Sequence, residues 1–496
     1  MRARLSLCMI VRDEETFLPR CLDSVRGVVD EIVVVDTGSH DSTVDIARRF
    51  GATVAEMPWP DDFSAARNAS LDLATGDWVL VLDADEVLLP ESAAGLPTLL
   101  ADPGVEGYFI QMRHLIGSAA QPEVEESSLF RLWRNRPEYR FTGEIHEQIL
   151  PTILARRPGS KTAQSGLQVV HYGYLREIRA ARRKFERNRL LLEKVIARSP
   201  QDPFAHFNLG IEYYDQGLLE QAGASFAAAL ARARPGDVWR PKLVKAYAAT
   251  LLERKEWASL FRLLEEEIAR YPDYTDLHYL KGVARVRAGQ TEQAVSAFTR
   301  CLELGPAPAL RYTSTDPGTG SYKAQLELGA ALEALGRDAD AREAYRRAAR
   351  SRPGWHEPLK RLATLLGRTA GDEEVVEELR AFFPGWQYAD RVQVATLLLH
   401  AHRPRLAVGL LEPFRQAGRA DRAGLFVLAR GLAEAGDREG ALAICRGDWS
   451  GSPLAPQVQR LREELEAHLP GAQGAPAQET GQQKSPGVQP AGGEGR

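Results

Sequence analysis

The chain is 496 residues long, 44% apolar, with a net charge of −4; at roughly 100–200 residues per domain, that length predicts two to four domains with ordinary cores. The near-neutral balance argues against a nucleic-acid polyanion as partner, and no run approaches the ~18–20 apolar residues that span a bilayer. Four cysteines, Cys8, Cys21, Cys301 and Cys445, are scattered without CxxC spacing and read as buried thiols of a soluble protein in a reducing cytoplasm.

Arg2 and Arg4 precede the apolar run Leu5–Val11, a superficial likeness to a signal peptide. The run is too short and is followed at once by Arg12-Asp13-Glu14-Glu15, so it reads as a first strand. A helix with Phe17, Leu18, Leu22 and Val25 on one face comes next. Glu31–Val35 is a second strand ending in Asp36-Thr37-Gly38-Ser39. Asp41-Ser42-Thr43 offers caps for a helix closed by Gly51, and Ala52–Ala55 opens a third strand. Ser64 is a candidate cap for a helix running through Leu73. Gly76-Asp77 then turns the chain into Trp78–Leu82, wholly apolar as befits a central strand covered on both faces. Alternation predicts that Asp83 and Asp85, just beyond, point the same way. They stand at the carboxyl end of a strand, where open α/β sheets place ligands. This βα alternation predicts a mostly parallel sheet. Gly107–Met112 and Ser128–Trp133 read as strands with a polar loop around Ala119–Glu126 between them. Arg140–Glu147 and Val169–Tyr174 follow.

From Glu177 onward the pattern is helical, with Arg182-Arg183-Lys184 and Glu186 on a solvated face. Internal repetition then emerges. Leu209-Gly210, Tyr213, Ala222, Phe226 and Ala229 carry tetratricopeptide spacing. Gly282, Ala294, Phe298, Cys301 and Pro306 repeat it, as do Leu328-Gly329, Leu332, Ala341, Tyr345, Ala348 and Pro353; a looser copy runs from Leu428 to Cys445. Each ~34-residue unit leaves an apolar face for its neighbour, hence an array. Segments 238–272 and 355–420 are degenerate, Gly305–Gly320 reads as an insertion, and 470–496 has the composition of a disordered tail.

The segments SLCMIVRDEE (6–15), EIVVVDTGSHDST (31–43), AARNAS (65–70), TGDWVLVLDADE (75–86), RLWRN (131–135), EIHEQ (144–148) and VVHYGY (169–174) together resemble family-two glycosyltransferases. They are similar to the bacterial subgroup with C-terminal tetratricopeptide repeats, related to the peptide S-glycosyltransferases. The resemblance implies an α/β GT-A fold, Rossmann-like, over 1–175. A helical linker would follow over 176–202, then an all-α tetratricopeptide solenoid over 203–450 and a terminal helix over 451–469. It implies an inverting transfer from a nucleotide-sugar donor, with UDP the favoured base. Asp36 would contact the base, flanked by Ile10 and Arg12, which stand where many members have proline and an aromatic. Arg67 would lie near the nucleotide or its phosphates, Asp83 would contact ribose and metal, and Asp85 would ligate Mg²⁺ or Mn²⁺. His171 is a further metal or diphosphate ligand on the same grounds. Glu147 and Glu144 are candidates for the base that deprotonates the acceptor, Glu147 preferred for the Ile-His-Glu pattern.

The chemistry is consistent with that assignment. A cation stabilises charge on a leaving diphosphate, and a carboxylate base contributes ~10²–10⁴-fold. Trp59 and Trp133 read as packing residues, and the bland alternative for Asp36 before Thr-Gly-Ser is an Asx turn. The repeats suit a peptide, protein or glycan acceptor, or a homodimer contact. An inactive glycosyltransferase-like domain on an interaction scaffold is the competing reading. A nucleotidyltransferase would want a glycine-rich loop after the first strand, where Arg12–Glu15 is acidic.

Overall fold

The computed structural model describes residues 2–119, 121–173, 175, 184–308, 311–312 and 314–467. Tyr174, Arg182-Arg183, most of the expected linker start and the expected tail at 470–496 lie outside the described residues. The chain divides into two compact units, Met1–Gly354 and Trp355–Arg496.

The first unit is built on one sheet. Its parallel half comprises β1 (Leu5–Val11), β2 (Glu31–Asp36), β3 (Thr53–Glu56) and β4 (Trp78–Val81), in the order β3-β2-β1-β4. Val11 stands opposite Asp36, so β1 and β2 end level. The period-two alternation of β1 is used on both faces. Leu5, Leu7, Met9 and Val11 pack with Leu18, Cys21, Leu22 and Val25 from α1 (Leu18–Ser24) and its C-terminal end. Cys8 faces the opposite way, with Val33, Val79, Val81, Trp133 and Phe141. Such two-sided burial is why the middle of these strands is mostly apolar, with Ser6 the buried exception in β1.

Beyond β4 the sheet turns mixed. The order continues β7-β6-β8-β5, with β5 (Glu86–Leu88), β6 (Gly107–Ser118), β7 (Gln121–Arg134) and β8 (Thr162–His171). Here the structure corrects the expected polar loop at Ala119–Glu126. β6 and β7 form one long hairpin that stays paired to Ser118 and Gln121. A ribbon of this kind satisfies its backbone by pairing alone, so it carries none of the apolar alternation by which a strand is read. A second correction concerns capping. α3 (Phe63–Leu73) is capped by Asp62, whose side chain accepts from Ala65 N, whereas the Ser64 hydroxyl donates to Gly143 O at 2.6 Å.

The helices of the first unit come in antiparallel-type pairs, beginning Pro203–Asp215 with Leu219–Leu230. One contact recurs. A Cβ at Gly210, Gly282 or Gly329 would fall 2.5 Å from the ring of Phe226, Phe298 or Tyr345, respectively. Glycine is therefore required where the first helix of each pair rests on the aromatic of the second. The degenerate stretch 238–272 folds as such a pair too, Arg240–Glu253 and Trp257–Arg270, with Arg240 and Glu267 buried in an ion pair at 2.6 Å.

The insertion returns to the sheet. Its two ends touch, since a Cβ at Gly320 would lie 2.0 Å from Gly305 O. Between them β9 (Ser314–Thr315) pairs antiparallel with Ser127 and Glu126 of β7. Tyr274 donates its hydroxyl to Ser314 O at 2.6 Å, and Lys245 bridges Asp316 at 2.8 Å and Asp276 at 3.3 Å. The helix Lys184–Arg198 also seats on the sheet domain, packing Leu191 and Leu192 against Ile145, Trp59 and Phe63.

The second unit is helical, from Glu357–Thr369 to Ala455–Ala467, with Gly436 closing the helix Arg422–Ala435 at φ 95°. No helix of the described residues is long and apolar enough to cross a membrane. Phe298→Ala empties a fully buried ring site, and a loss of about 3–5 kcal/mol in unfolding free energy is expected in a urea titration.

Candidate active site

The level ends of β1 and β2 meet in a tight loop. Thr37 N donates to Val11 O at 2.9 Å. Asp36 is buried, and its Oδ2 accepts from Gly38 N and Ser39 N, each at 3.0 Å, while Oδ1 accepts from the Ser39 hydroxyl. The carboxylate thus holds an Asx-type turn. Ile10 is half-buried beside it, opposite Val35, and Arg12 is exposed, 3.9 Å from Asp13.

The next strand end carries the charge. β4 stops at Val81, and Glu86 N donates to Asp83 O at 3.0 Å, so the Asp-Ala-Asp segment is a turn. Strand alternation does not reach it, and the expectation that both aspartates face one way is corrected. Asp83 turns to two arginines: Oδ1 accepts from Arg67 Nη2 at 2.8 Å and Oδ2 from Arg131 Nη2 at 3.2 Å. Burial alone would raise the Asp83 carboxyl, but Arg67 and then Arg131 hold it well below the usual carboxylate range. Arg131 also meets Glu86 Oε1 at 3.2 Å, and Glu86 Oε2 accepts from Asp83 N at 2.9 Å. Burial pushes the Glu86 carboxyl up.

Arg67, from α3, spans the site. Its Nε donates to Glu147 and its Nη2 to Asp83, while Nη1 is buried with no hydrogen-bond partner. Glu147 belongs to a turn closed by reciprocal bonds between Thr142 and Gln148 at 3.0 and 2.9 Å. That turn is pinned through Gly143 O to Ser64 and through Glu144 O to Phe63 N, 2.8 Å. Such pinning holds His146 at φ 54°, a region non-glycine residues rarely occupy. His146 Nε2 is buried with no hydrogen-bond partner. Glu144 is elsewhere: its carboxylate forms a two-point pair with Arg198, and the structure does not bring it to the cluster of Arg67, Asp83 and Glu147.

Asp85 turns away from Asp83. It is buried, with Oδ1 3.5 Å from His171 Nε2, because β5 pairs Glu86 with His171. Gly173 closes the notch, where a Cβ would lie 2.2 Å from Asp85 Oδ2 and 2.7 Å from His171 Nε2. Burial would lower the His171 imidazole, but Asp85, Glu86 and Asp83 together raise it. Among the described residues no group of three His, Cys, Asp or Glu side chains is arranged to hold a metal. Asp85 and His171 beside the bare Gly173 backbone fit a hard cation completed by phosphate oxygens and water, the usual setting of Mg²⁺. They do not make an all-protein cage.

Four residues of this site carry no role in the sequence reading. Glu86 follows the second aspartate directly, and Arg131 lies in the quoted RLWRN segment, where a basic side chain in a buried strand was the available signal. His114, whose Nδ1 is 3.0 Å from His171 Nδ1, and Ser127, whose hydroxyl is 2.7 Å from His114 Nε2, sit on the polar hairpin and give no local signal.

Residues 6–153 match the model of glycosyl transferase family 2, and tetratricopeptide models match 171–238, 275–308 and 307–354. The N-terminal part of the chain is thus similar to family 2 glycosyl transferases, and the part after it to tetratricopeptide repeats. A TPR repeat-containing protein of Synechococcus elongatus is 41% identical over 258 residues, 51% of this chain and 62% of that protein. The prophage-derived glycosyltransferase SunS of Bacillus subtilis is 25% identical over 283 residues, 55% of this chain and 64% of that protein. The chain therefore spans less than two thirds of the length of either relative. Glucosyl-3-phosphoglycerate synthase of Mycobacterium tuberculosis, solved with Mn²⁺ and UDP, is 25% identical, with a TM-score of 0.19, over 23% of this chain and 44% of that one. Arg67, Asp83, Asp85 and Glu147 all fall within the glycosyl transferase match, and His171 ends the strand that follows it.

Burial lowers the His146 imidazole from 6.5 to about 4, against the opposing carboxylate of Glu147. The unfolded chain takes up a proton below 6.5 that the folded chain refuses until about 4, so this contribution to stability is lost as pH falls through that window. The melting temperature of His146→Gln is expected to fall less than that of the wild type between about pH 7 and about pH 4.5. Parallel curves would mean that His146 does not titrate in this way.

Proposed function

We propose that the protein is an inverting glycosyltransferase that moves a sugar from a nucleoside diphosphate donor, UDP favoured, to a hydroxyl or thiol. The observation that carries this reading is the pairing of two unlike halves at one sheet edge. One half is an arginine-braced aspartate, Asp83; the other is the notch of Asp85, His171 and Gly173.

Asp85 and His171 would hold Mg²⁺ or Mn²⁺, which when bound supplies Lewis-acid stabilisation of the leaving diphosphate. Arg67 keeps Asp83 in a fixed orientation to receive the donor, and its Nη1 offers a donor to an incoming anion without breaking its existing bonds. Arg131 balances the charge of Asp83 and Glu86. Asp36 shapes the loop against which the base would lie, and Ile10 and Arg12 flank it. Glu147 is the proton acceptor of choice, since its carboxylate is held by Arg67 beside Asp83. Glu144 is the second choice, because it stands apart from that cluster, paired with Arg198.

The catalytic part is assigned to residues 1–175 and the repeats to 203–450, joined by 176–202. Repeat arrays of this type form grooves for extended peptides or helices, which favours a peptide or protein acceptor over an envelope glycan. Four buried free thiols, Cys8, Cys21, Cys301 and Cys445, are compatible with a reducing cytoplasm.

Calorimetric titration with UDP, GDP and a panel of UDP-sugars, in Mn²⁺ and in EDTA, tests the donor site. Metal-dependent binding of one nucleotide is expected, abolished in Asp85→Ala with the fold retained by circular dichroism. Glu147→Gln is expected to keep nucleotide binding while turnover falls by about 10²–10⁴-fold. Metal-independent binding, or full turnover in Asp85→Ala, would remove the assignment.

A further inference from the structure

The hairpin β6–β7 and the insertion of the repeats converge on the imidazole of His171. The register of β6 on β8 sets His114 directly opposite His171. Their Nδ1 atoms are 3.0 Å apart, with the rings at 70° and 5.2 Å between centroids. His114 Nε2 lies 2.7 Å from the Ser127 hydroxyl. Ser127 is in turn the residue that β9 pairs through Ser314.

This row of contacts has a direction. His171 Nε2 faces Asp85, so that nitrogen must be bare to bind a cation, and the ring proton then sits on Nδ1. Nδ1–H can donate only if His114 Nδ1 accepts. His114 then carries its own proton on Nε2 and donates it to Ser127 Oγ. Once a cation sits on Nε2, this assignment of tautomers satisfies both remaining contacts, and it presents the His171 lone pair to the notch. Histidines that bind metals generally have their other ring nitrogen held in this manner, and loss of the partner weakens binding by about 10–100-fold.

We propose that His114 is a positioning residue for the cation site, fixing the tautomer and rotation of His171, and that the repeats brace it through β9 and Ser127. The inference rests on the metal-dependent reading above. It gives the repeats a part in the donor site separate from any acceptor they recruit, because the strand that backs Ser127 is theirs.

The test is Mn²⁺ binding by the full chain in the presence of UDP, followed by electron paramagnetic resonance of the free ion and by calorimetry. His171→Ala is the reference for complete loss of the histidine. His114→Phe keeps the ring volume and drops both nitrogens; a Mn²⁺ affinity about 10–100-fold weaker than wild type is expected. Ser127→Ala removes only the outer bond, and a smaller loss in the same direction is expected. It also stands in for His114→Phe should that variant melt early. Wild-type Mn²⁺ affinity in a folded His114→Phe, or in Ser127→Ala when His114→Phe does not fold, overturns the proposal. Retained affinity in His171→Ala overturns it as well. Absence of Mn²⁺ binding in the wild type is a different failure, since it removes the metal-dependent reading itself and this inference with it.

Discussion

A single buried guanidinium organises the sheet edge that carries the candidate site. Arg67 comes from a helix, Asp83 from the turn after a central strand and Glu147 from a pinned loop about 60 residues further on. Taking such charges out of water is costly unless each is paired, so the three segments are held to one arrangement. The same constraint extends outward through Asp83 to Arg131 and Glu86. A site built in this way is sensitive to any change that leaves one member unpaired.

Much of this was legible in the sequence because it rests on local pattern. Three of the parallel strands announce themselves by largely apolar runs, and the glycine–aromatic offsets of the repeats translate directly into the close approach of Gly282 to Phe298. Asp83 and Asp85 are visible at a strand end. Their divergence is not, because it depends on where the backbone leaves the strand, one hydrogen bond from Glu86 to Asp83. Ser64 reads as a cap from the sequence, but its hydroxyl is engaged by Gly143 O, and Asp62 caps the helix instead. The inner parts of β6 and β7 read as strands, but the far end of the ribbon around Ala119–Glu126 reads as a loop, because a polar paired backbone writes no hydrophobic signal. Everything that depends on that ribbon, His114 and Ser127 included, was hidden with it.

The helical half proves less separate from the sheet than its sequence suggests. Lys245 lies in a repeat helix and Tyr274 just precedes another, yet their polar groups are spent on the insertion, and the insertion supplies a strand to β7. Up to Gly354 the sheet and the first helical pairs form one compact unit. Chemistry at the strand ends and packing among the repeats are therefore linked by backbone pairing as well as by chain continuity.

The insertion has its ends sealed at Gly305 and Gly320, and its middle fixed to Glu126 and Ser127. Such a segment cannot change length freely, although it looks like the loop in which insertions and deletions are usually tolerated. Its reach is set by a hairpin nearly two hundred positions earlier in the chain. Among descendants of a common ancestor the two stretches should lengthen or shorten together, and a lineage that trims the ribbon back toward Met112 would have no use for the extra residues between its repeats.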